Sequence, residues 1–445
     1  MACEPRERSE RILDVPEPAT PETSAPKAAR ITSIDALRGF VMFTMIFVND
    51  LAGAGKFVPD WMVHFSERHK TGSGMTFVDL VFPAFLFIVG MSVPQALGRR
   101  LAAGGSMVWT LGHVAGRTLA LLAIGILMVH ETPDSEALGW PGDWWCTLMY
   151  LSSMAAFCSI EPGWLELGRA GGDGGEPRSN AWRVASRCAR VTGMAGMLLL
   201  ALAFRGSHGR RILTIAPFSL DTEWYGILGL IGWAYLVACL VYLAFRAQRT
   251  AILGCMGLLM CLFAAERTRM FDGFFVNRIV GIGGALGSQG AIATGGLLLG
   301  AMLTDSQMAH WRARGRFTWW FVLGCSAAAL LLNGLYGISK NQATPSWCFW
   351  SCAITAALWY LFYLVADVRP VAFVSGPLAA AGRNVLLAYL ISEMLPGLLE
   401  ALGLGRAYDH LASSCLTAVA RSAACGVVIL AVATGLNRLG LRLRL

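Results

Sequence analysis

Apolar residues along this chain come in long unbroken runs, and polar residues collect in the short segments between them. Two such runs, Leu37–Leu51 and Met75–Val93, flank a polar loop that carries His64 and His69. They are too long and too continuously apolar for the roughly 10-residue alternating strands of an outer-membrane barrel. Coiled as a helix, a run of about 20 apolar residues matches the hydrocarbon thickness of a bilayer. Runs of this kind predict helices near 36–54, 75–97, 107–129, 144–160, 190–205, 224–245, 250–265, 279–304, 317–338, 347–366, 384–403 and 413–436. Some of these stretches are short, so the expectation is about 12 helices, with 10 as the lower bound. The predicted fold class is all-α, a polytopic transmembrane helix bundle.

Composition agrees. The chain is 56% hydrophobic and 14% charged, against about 25% charged in a soluble protein. Its net charge of +8 does not mark a nucleic-acid binder, because the arginines lie in short segments between apolar runs. There they set orientation. Basic residues gather on alternate connections, at Arg99 and Arg100, between Arg169 and Arg190, at Arg246 and Arg249, and from Arg312 to Arg316. The opposite connections include the acidic stretch HETPDSEALGWPGD, residues 130–143. Both termini are therefore expected in the cytoplasm, with the His64–His69 loop facing outward. Residues 1–30 are polar and lack the apolar core of a signal peptide, so they read as a disordered cytoplasmic tail. Residues 31–445 then form the transmembrane domain.

The twelve Cys include no CxxC pair, and most sit in apolar runs, where a free Cys behaves as a small hydrophobe. Residues 281–300 are dense in glycine but fail the G-x-G-x-x-G spacing. Gly283/Gly287 and Gly296/Gly300 read instead as close-packing positions between helices.

Ionisable groups at the edge of a hydrophobic span are costly, and so point to function. Asn49 and Asp50 end the first run, and Asp79 sits just inside the second. His69 lies in the glycine-containing segment before Asp79, close enough for the carboxylate to hold its ring and fix its tautomer, as a general base requires. Asn49 is an uncharged donor for a carbonyl or developing oxyanion. His64 is the second candidate in the loop. With His69 it has an i, i+5 separation, no further ligand at recognisable spacing, and hence no metal is assigned. Asp35 and Arg38 share one face at the other end of the first helix. They read either as an ion pair behind a Ser33 cap, or as a hold for a polyanionic cofactor. Lys340 and Asn341, in GISKNQATPSW, fall on the same side as His69 and could line a substrate mouth. Asn384 either caps its helix or joins Arg38 and Asp35 along a cofactor path, and Glu393 is a polar group within the same apolar run.

Two blocks carry a resemblance. R-x-x-S-x-D-x-x-R-G-F over Arg30–Phe40, followed by M-I-F-V-N, is one, and H-x5-M-T-x-x-D-L-V-F-P-x-F-L-F-I-V-G-x-S over His69–Ser92 is the other. Together they resemble the transmembrane acyltransferase family typified by heparan-α-glucosaminide N-acetyltransferase. Weaker echoes follow at 113–127, 228–236, 338–347 and 380–393. The resemblance implies an enzyme that takes an acetyl group from cytoplasmic acetyl-CoA and places it on a sugar or glycan amine or hydroxyl across the membrane. It also implies His69 as the active-site histidine, Asp79 as its partner and Asn49 as the active-site asparagine. Thr71–Gly74 depart from the family's W-N-G, and Ala343 stands where a tryptophan is usual, which leaves the acceptor open. The expected setting is a bacterial-type plasma membrane, with lipid and an amino-sugar or glycan acceptor as partners. Oligomeric state stays open, a homodimer included. A rival class is a secondary transporter or flippase of a polar solute or lipid-linked sugar. No internal repeat of the transporter kind is visible, and solute uptake without acyl-CoA would favour that rival.

Overall fold

The structure, a computed structural model, describes residues 31–55, 57–68, 72–160 and 176–443. The expected tail, residues 1–30, lies outside them, and so does His69. The twelve apolar stretches all fall on helices. In chain order they are α1 (Thr32–Ala52), α2 (Val81–Ala102, entered through a 3-10 turn at Phe77–Leu80), α3 (Met107–Val129), α4 (Gly142–Ala156), α5 (Glu176–Ala203) and α6 (Gly226–Phe245). There follow α7 (Arg249–Arg267), α8 (Gly290–Thr304, preceded by a π-helical turn over Ile282–Gln289), α9 (Trp311–Tyr336) and α10 (Pro345–Tyr363). The last three are α11 (Ala372–Ala381), α12 (Val385–Ala401) and α13 (Cys415–Arg438).

Among the described residues nine helices are long and apolar enough to cross a membrane, or ten if the bent pair α11 and α12, at 70°, counts as one span. The chain is thus an all-α, multi-pass membrane protein. Two expected spans fall short of that measure. The helix α4 has 15 residues, about 22 Å of rise against a core of about 30 Å. The helix α1 is long enough but carries Asp35, Arg38 and Asp50.

Burial orders the bundle. The span Ile282–Thr304 is 94% buried and Phe77–Ala102 is 78% buried, whereas Trp182–Ala203 and Arg249–Arg267 are 22% buried. So α2 and α8 form the centre, and α5 and α7 the rim. Glycine sets the central contact. A Cβ on Gly296 would stand 1.9 Å from the Phe87 carbonyl oxygen, and one on Gly90 1.8 Å from that of Ala293. Backbones this close leave no room for a side chain, as the spacing of Gly296 and Gly300 predicts. Large apolar side chains on the bundle surface, Leu331 on α9 and Trp109 on α3 among them, face outward, which suits lipid rather than water.

A second close crossing joins α1 to the turn after α11, where a Cβ on Gly382 would meet the Asp35 carbonyl oxygen at 1.8 Å. The helix α1 also starts differently from its sequence pattern. It begins at Thr32, so Ser33 lies inside it, and the Asp367 carboxylate accepts the N–H groups of Thr32 and Ser33 at 3.0 and 3.2 Å. A carboxylate there satisfies two orphan donors and complements the helix dipole better than a hydroxyl. Among the described residues sheet is confined to two short antiparallel pairs. β1 (Cys158–Ile160) pairs with β4 (Leu441–Leu443), and β2 (Leu213–Thr214) pairs with β3 (Ser219–Leu220).

Candidate active site

The loop between α1 and α2 is gathered around one carboxylate. Asp79, 2% exposed, sits in the 3-10 turn that opens α2. Its Oδ2 accepts the backbone N–H of Thr76 at 3.0 Å and of Phe65 at 3.1 Å. Its Oδ1 lies 2.7 Å from His64 Nδ1. Thr76 adds a tie of its own, donating its hydroxyl to the Val63 carbonyl at 2.7 Å. The loop is thus closed on Asp79 from both flanks. Trp347, fully buried at the start of α10, donates its indole N–H to the Asp79 carbonyl at 3.2 Å.

A carboxylate can only accept, so His64 carries its proton on Nδ1 and leaves a lone pair on Nε2. The imidazole side chain is 27% exposed beside an acid that is almost fully covered. Lys340 Nζ stands 3.3 Å from both ring nitrogens. The lysine arrives because the connection from α9 to α10 docks on the His64 loop. Ile338 donates its N–H to Ser73 Oγ at 2.7 Å, and Gly74 donates its own to the Ile338 carbonyl at 3.0 Å. Asn341, next to Lys340, is exposed. The result is an imidazole with a fixed tautomer, a lone pair directed away from its acid, and an ammonium alongside. Once an acceptor nucleophile takes the place of the ammonium at Nε2, such a group can accept its proton.

Of the residues singled out in the sequence, the structure brings together His64, Asp79 and Lys340. Asn49 is placed differently. It is exposed near the end of α1 and donates Nδ2–H to Glu393 Oε1 on α12 at 2.8 Å. At the far end of α1, Arg38 donates Nη1–H to Asp35 Oδ1 at 3.1 Å and Nη2–H to Ser92 Oγ on α2. Arg38 is eleven positions from Asn49 on the same helix, about 16 Å along its axis. Asn384, 6% exposed, makes no side-chain cap for α12. It clamps β4 instead, donating to the Leu441 carbonyl at 3.2 Å and accepting from the Leu443 N–H at 3.4 Å.

Sequence reasoning passed over Arg421. It sits inside the apolar run of α13, is 9% exposed, and holds Asp50. An arginine inside a membrane span is the signal that would have found it. It also passed over His130, whose partners lie some ninety positions away.

A family model described as a domain of unknown function (DUF5009) matches residues 30–133, the segment that contains Asn49, His64, His69 and Asp79. The heparan-alpha-glucosaminide N-acetyltransferase of Mus musculus is 34% identical over 120 residues, 27% of this chain and 17% of that protein. That of Homo sapiens is 36% identical over 124 residues, 28% of this chain and again 17% of the relative. The chain thus spans about a sixth of the length of these relatives. Within that reach, and in the motifs around Arg30–Phe40 and His69–Ser92, it resembles the transmembrane acyltransferases typified by heparan-alpha-glucosaminide N-acetyltransferase.

Proposed function

We propose that this protein is a membrane acyltransferase that moves an acetyl group from cytoplasmic acetyl-CoA to an amine or hydroxyl of a sugar or glycan on the other side of a bacterial-type plasma membrane. The observation that carries this reading is the His64 imidazole, about a quarter exposed and held at 2.7 Å by a buried aspartate, in the segment that the family model matches. The base is an imidazole of this loop. The resemblance assigns it to His69, with Asp79 orienting it; the geometry puts His64 on Asp79.

The imidazole takes the proton of the acceptor N–H or O–H as that atom attacks the thioester carbonyl. The C–S bond then breaks, and the imidazolium returns the proton to the departing CoA sulfur. Lys340 supplies positive charge where the oxyanion develops; the resemblance assigns a second donor to Asn49, whose amide donates to Glu393. Lys340, Asn341 and whichever histidine is not the base line the acceptor mouth. The nucleotide end of acetyl-CoA, a substrate here, binds at the opposite end of α1 near Arg38, Asp35 and Asn384, where guanidinium and phosphate suit each other. Orientation follows the arginine bias, with both termini cytoplasmic.

The test is a pair of variants in membranes given labelled acetyl-CoA and a panel of amino-sugar glycans, with product read by mass spectrometry. Loss of acetylated product in His64→Ala or in His69→Ala, at matched expression, assigns the base. Full transfer in both variants overturns the proposal.

A further inference from the structure

His130 ends α3 with its ring 5% exposed, and the Phe204 ring packs edge-on against it at 5.3 Å. Its Nδ1 lies 2.8 Å from the Ile126 carbonyl oxygen one turn back. A carbonyl only accepts, so Nδ1 holds a proton, and in the neutral imidazole Nε2 is then the nitrogen that offers a lone pair. That Nε2 is buried without a hydrogen-bond partner and faces Asp221 Oδ2 at 3.5 Å. Glu223 completes the group, with one ligand atom of each residue within 4.8 Å of the others. A buried imidazole lone pair that faces two carboxylates, themselves about a third exposed, is relieved by a cation among them.

Arg210 partly answers that need. Its Nη2 lies 2.7 Å from Asp221 Oδ2 and 2.5 Å from Glu223 Oε1. It serves the two carboxylates, yet leaves the imidazole nitrogen bare. Its side chain is also 47% exposed on a surface loop.

We propose that His130 Nε2, Asp221 and Glu223 form a binding site for a divalent transition-metal ion of the zinc class. Arg210 is the competing cation that neutralises the carboxylates until the ion displaces it. One imidazole and two carboxylates make a three-ligand nitrogen and oxygen set that zinc accepts with water in the fourth position. The carbonyl on Nδ1 is the support that metal-bound imidazoles usually have, fixing both tautomer and ring orientation. The ion would tie the end of α3 to the segment after β3, which already closes on itself through the Asp221 N–H and the Ile212 carbonyl at 2.9 Å. The ligands come from positions 130, 221 and 223, so no local spacing announces them.

The experiment uses the full chain in detergent, purified through a tag without histidine and stripped with chelator. Co²⁺ is added while visible absorbance is followed, and bound Zn²⁺ is counted by mass spectrometry after gel filtration. One ion per chain is expected. Affinity should fall at least about tenfold in His130→Gln and in Asp221→Asn, on the scale of second-sphere losses alone. Should His130→Gln fail to fold, Glu223→Gln, on the surface loop, carries the same expectation. Arg210→Gln should bind more tightly than the parent chain. Absence of binding, which would leave a protonated His130 as the cation, overturns the proposal. Equal binding by parent and ligand variants, which would place the ion on the thiols, overturns it as well. None of these readouts depends on acyl transfer.

Discussion

Two carboxylates stand at the same end of the bundle, and their partners make them opposites. Asp50 closes α1 with the hydroxyls of Tyr408 and Ser422 at 2.6 Å each and the guanidinium of Arg421 at 3.2 Å. Arg421 reaches the Asp50 carbonyl as well and lies over the Tyr408 ring at 4.6 Å. Every partner is a neutral hydroxyl or a cation that does not lose its proton, and the arginine side chain is 6% exposed. Asp79 instead holds an imidazole, a group able to gain and lose a proton near neutrality, and it turns that group toward solvent. Both acids are saturated. Only one of them is saturated by something that can react.

The contrast is sharpest under one substitution made twice. Asp79→Asn turns an acceptor into a group that also donates, so its amide can face Nδ1 and drive the imidazole proton onto Nε2. The wrong tautomer at an acid-oriented base costs about 10⁴-fold in other enzymes, and a loss of that order in acetylated product is expected here. Asp50→Asn should leave transfer per folded molecule within a few-fold and lower the unfolding temperature. Equal losses of activity in the two variants would erase the distinction between them.

Next in size is the structural pair itself. Arg421→Ala leaves Asp50 charged and largely covered with only hydroxyls, a change that costs about 3–5 kcal/mol for buried pairs. The expected result is low yield and early unfolding in a thermal melt followed by gel filtration. Removing both charges, in Asp50→Asn with Arg421→Met, should recover most of that loss, because no unpaired charge remains. A double variant as unstable as the single would mean that the pair specifies the α1–α13 contact rather than merely neutralising itself.

How much of this the chain declares in advance depends on the range of each contact. The helices were legible because their apolar runs are local, and so was the Gly296–Gly300 contact, where spacing alone implies a narrow face. That Asp79 would be a held carboxylate was legible from its place at a span edge, and so was the company of Lys340 from the alternation of sides. The imidazole that reaches Asp79 was not legible. Counting places His69 nearer in sequence, but the short helix Phe65–Arg68 and the Phe65 N–H bond turn the chain so that His64, fifteen positions away, meets the acid. The cap of α1 failed for the same reason, since Asp367 lies more than three hundred positions from Thr32. Asn384 looks like a cap by position, yet β4 competes for its amide.

Lys340→Met comes third. It keeps the stem and removes the ammonium beside His64, and losing one oxyanion donor usually costs about 10²–10³-fold in turnover. The expected signature is a fall in the transfer rate with little change in the apparent affinity for acetyl-CoA, because the nucleotide end binds elsewhere. A change in affinity alone would reassign Lys340 to substrate binding.

The smallest effect tests whether geometry, rather than any catalytic group, is what separates the two acids. A Cβ on Gly74 would lie 2.4–3.0 Å from the ring carbons of Phe65, too close to stay. Phe65 must then move, and its N–H is one of the bonds that hold Asp79, next to His64 in the chain. Gly74→Ala touches no reacting atom, yet a displacement of about 1 Å at the imidazole can cost up to about 10²-fold. Phe65→Leu, combined with Gly74→Ala, shortens the obstructing ring while keeping the backbone N–H, so it should restore part of the rate. The Asp50 cluster shares none of these contacts, and the melting temperature should shift little. A large loss of stability in Gly74→Ala, with transfer per folded molecule unchanged, would show that the loop around Asp79 holds the fold as Asp50 does, and the difference between the two acids would be gone.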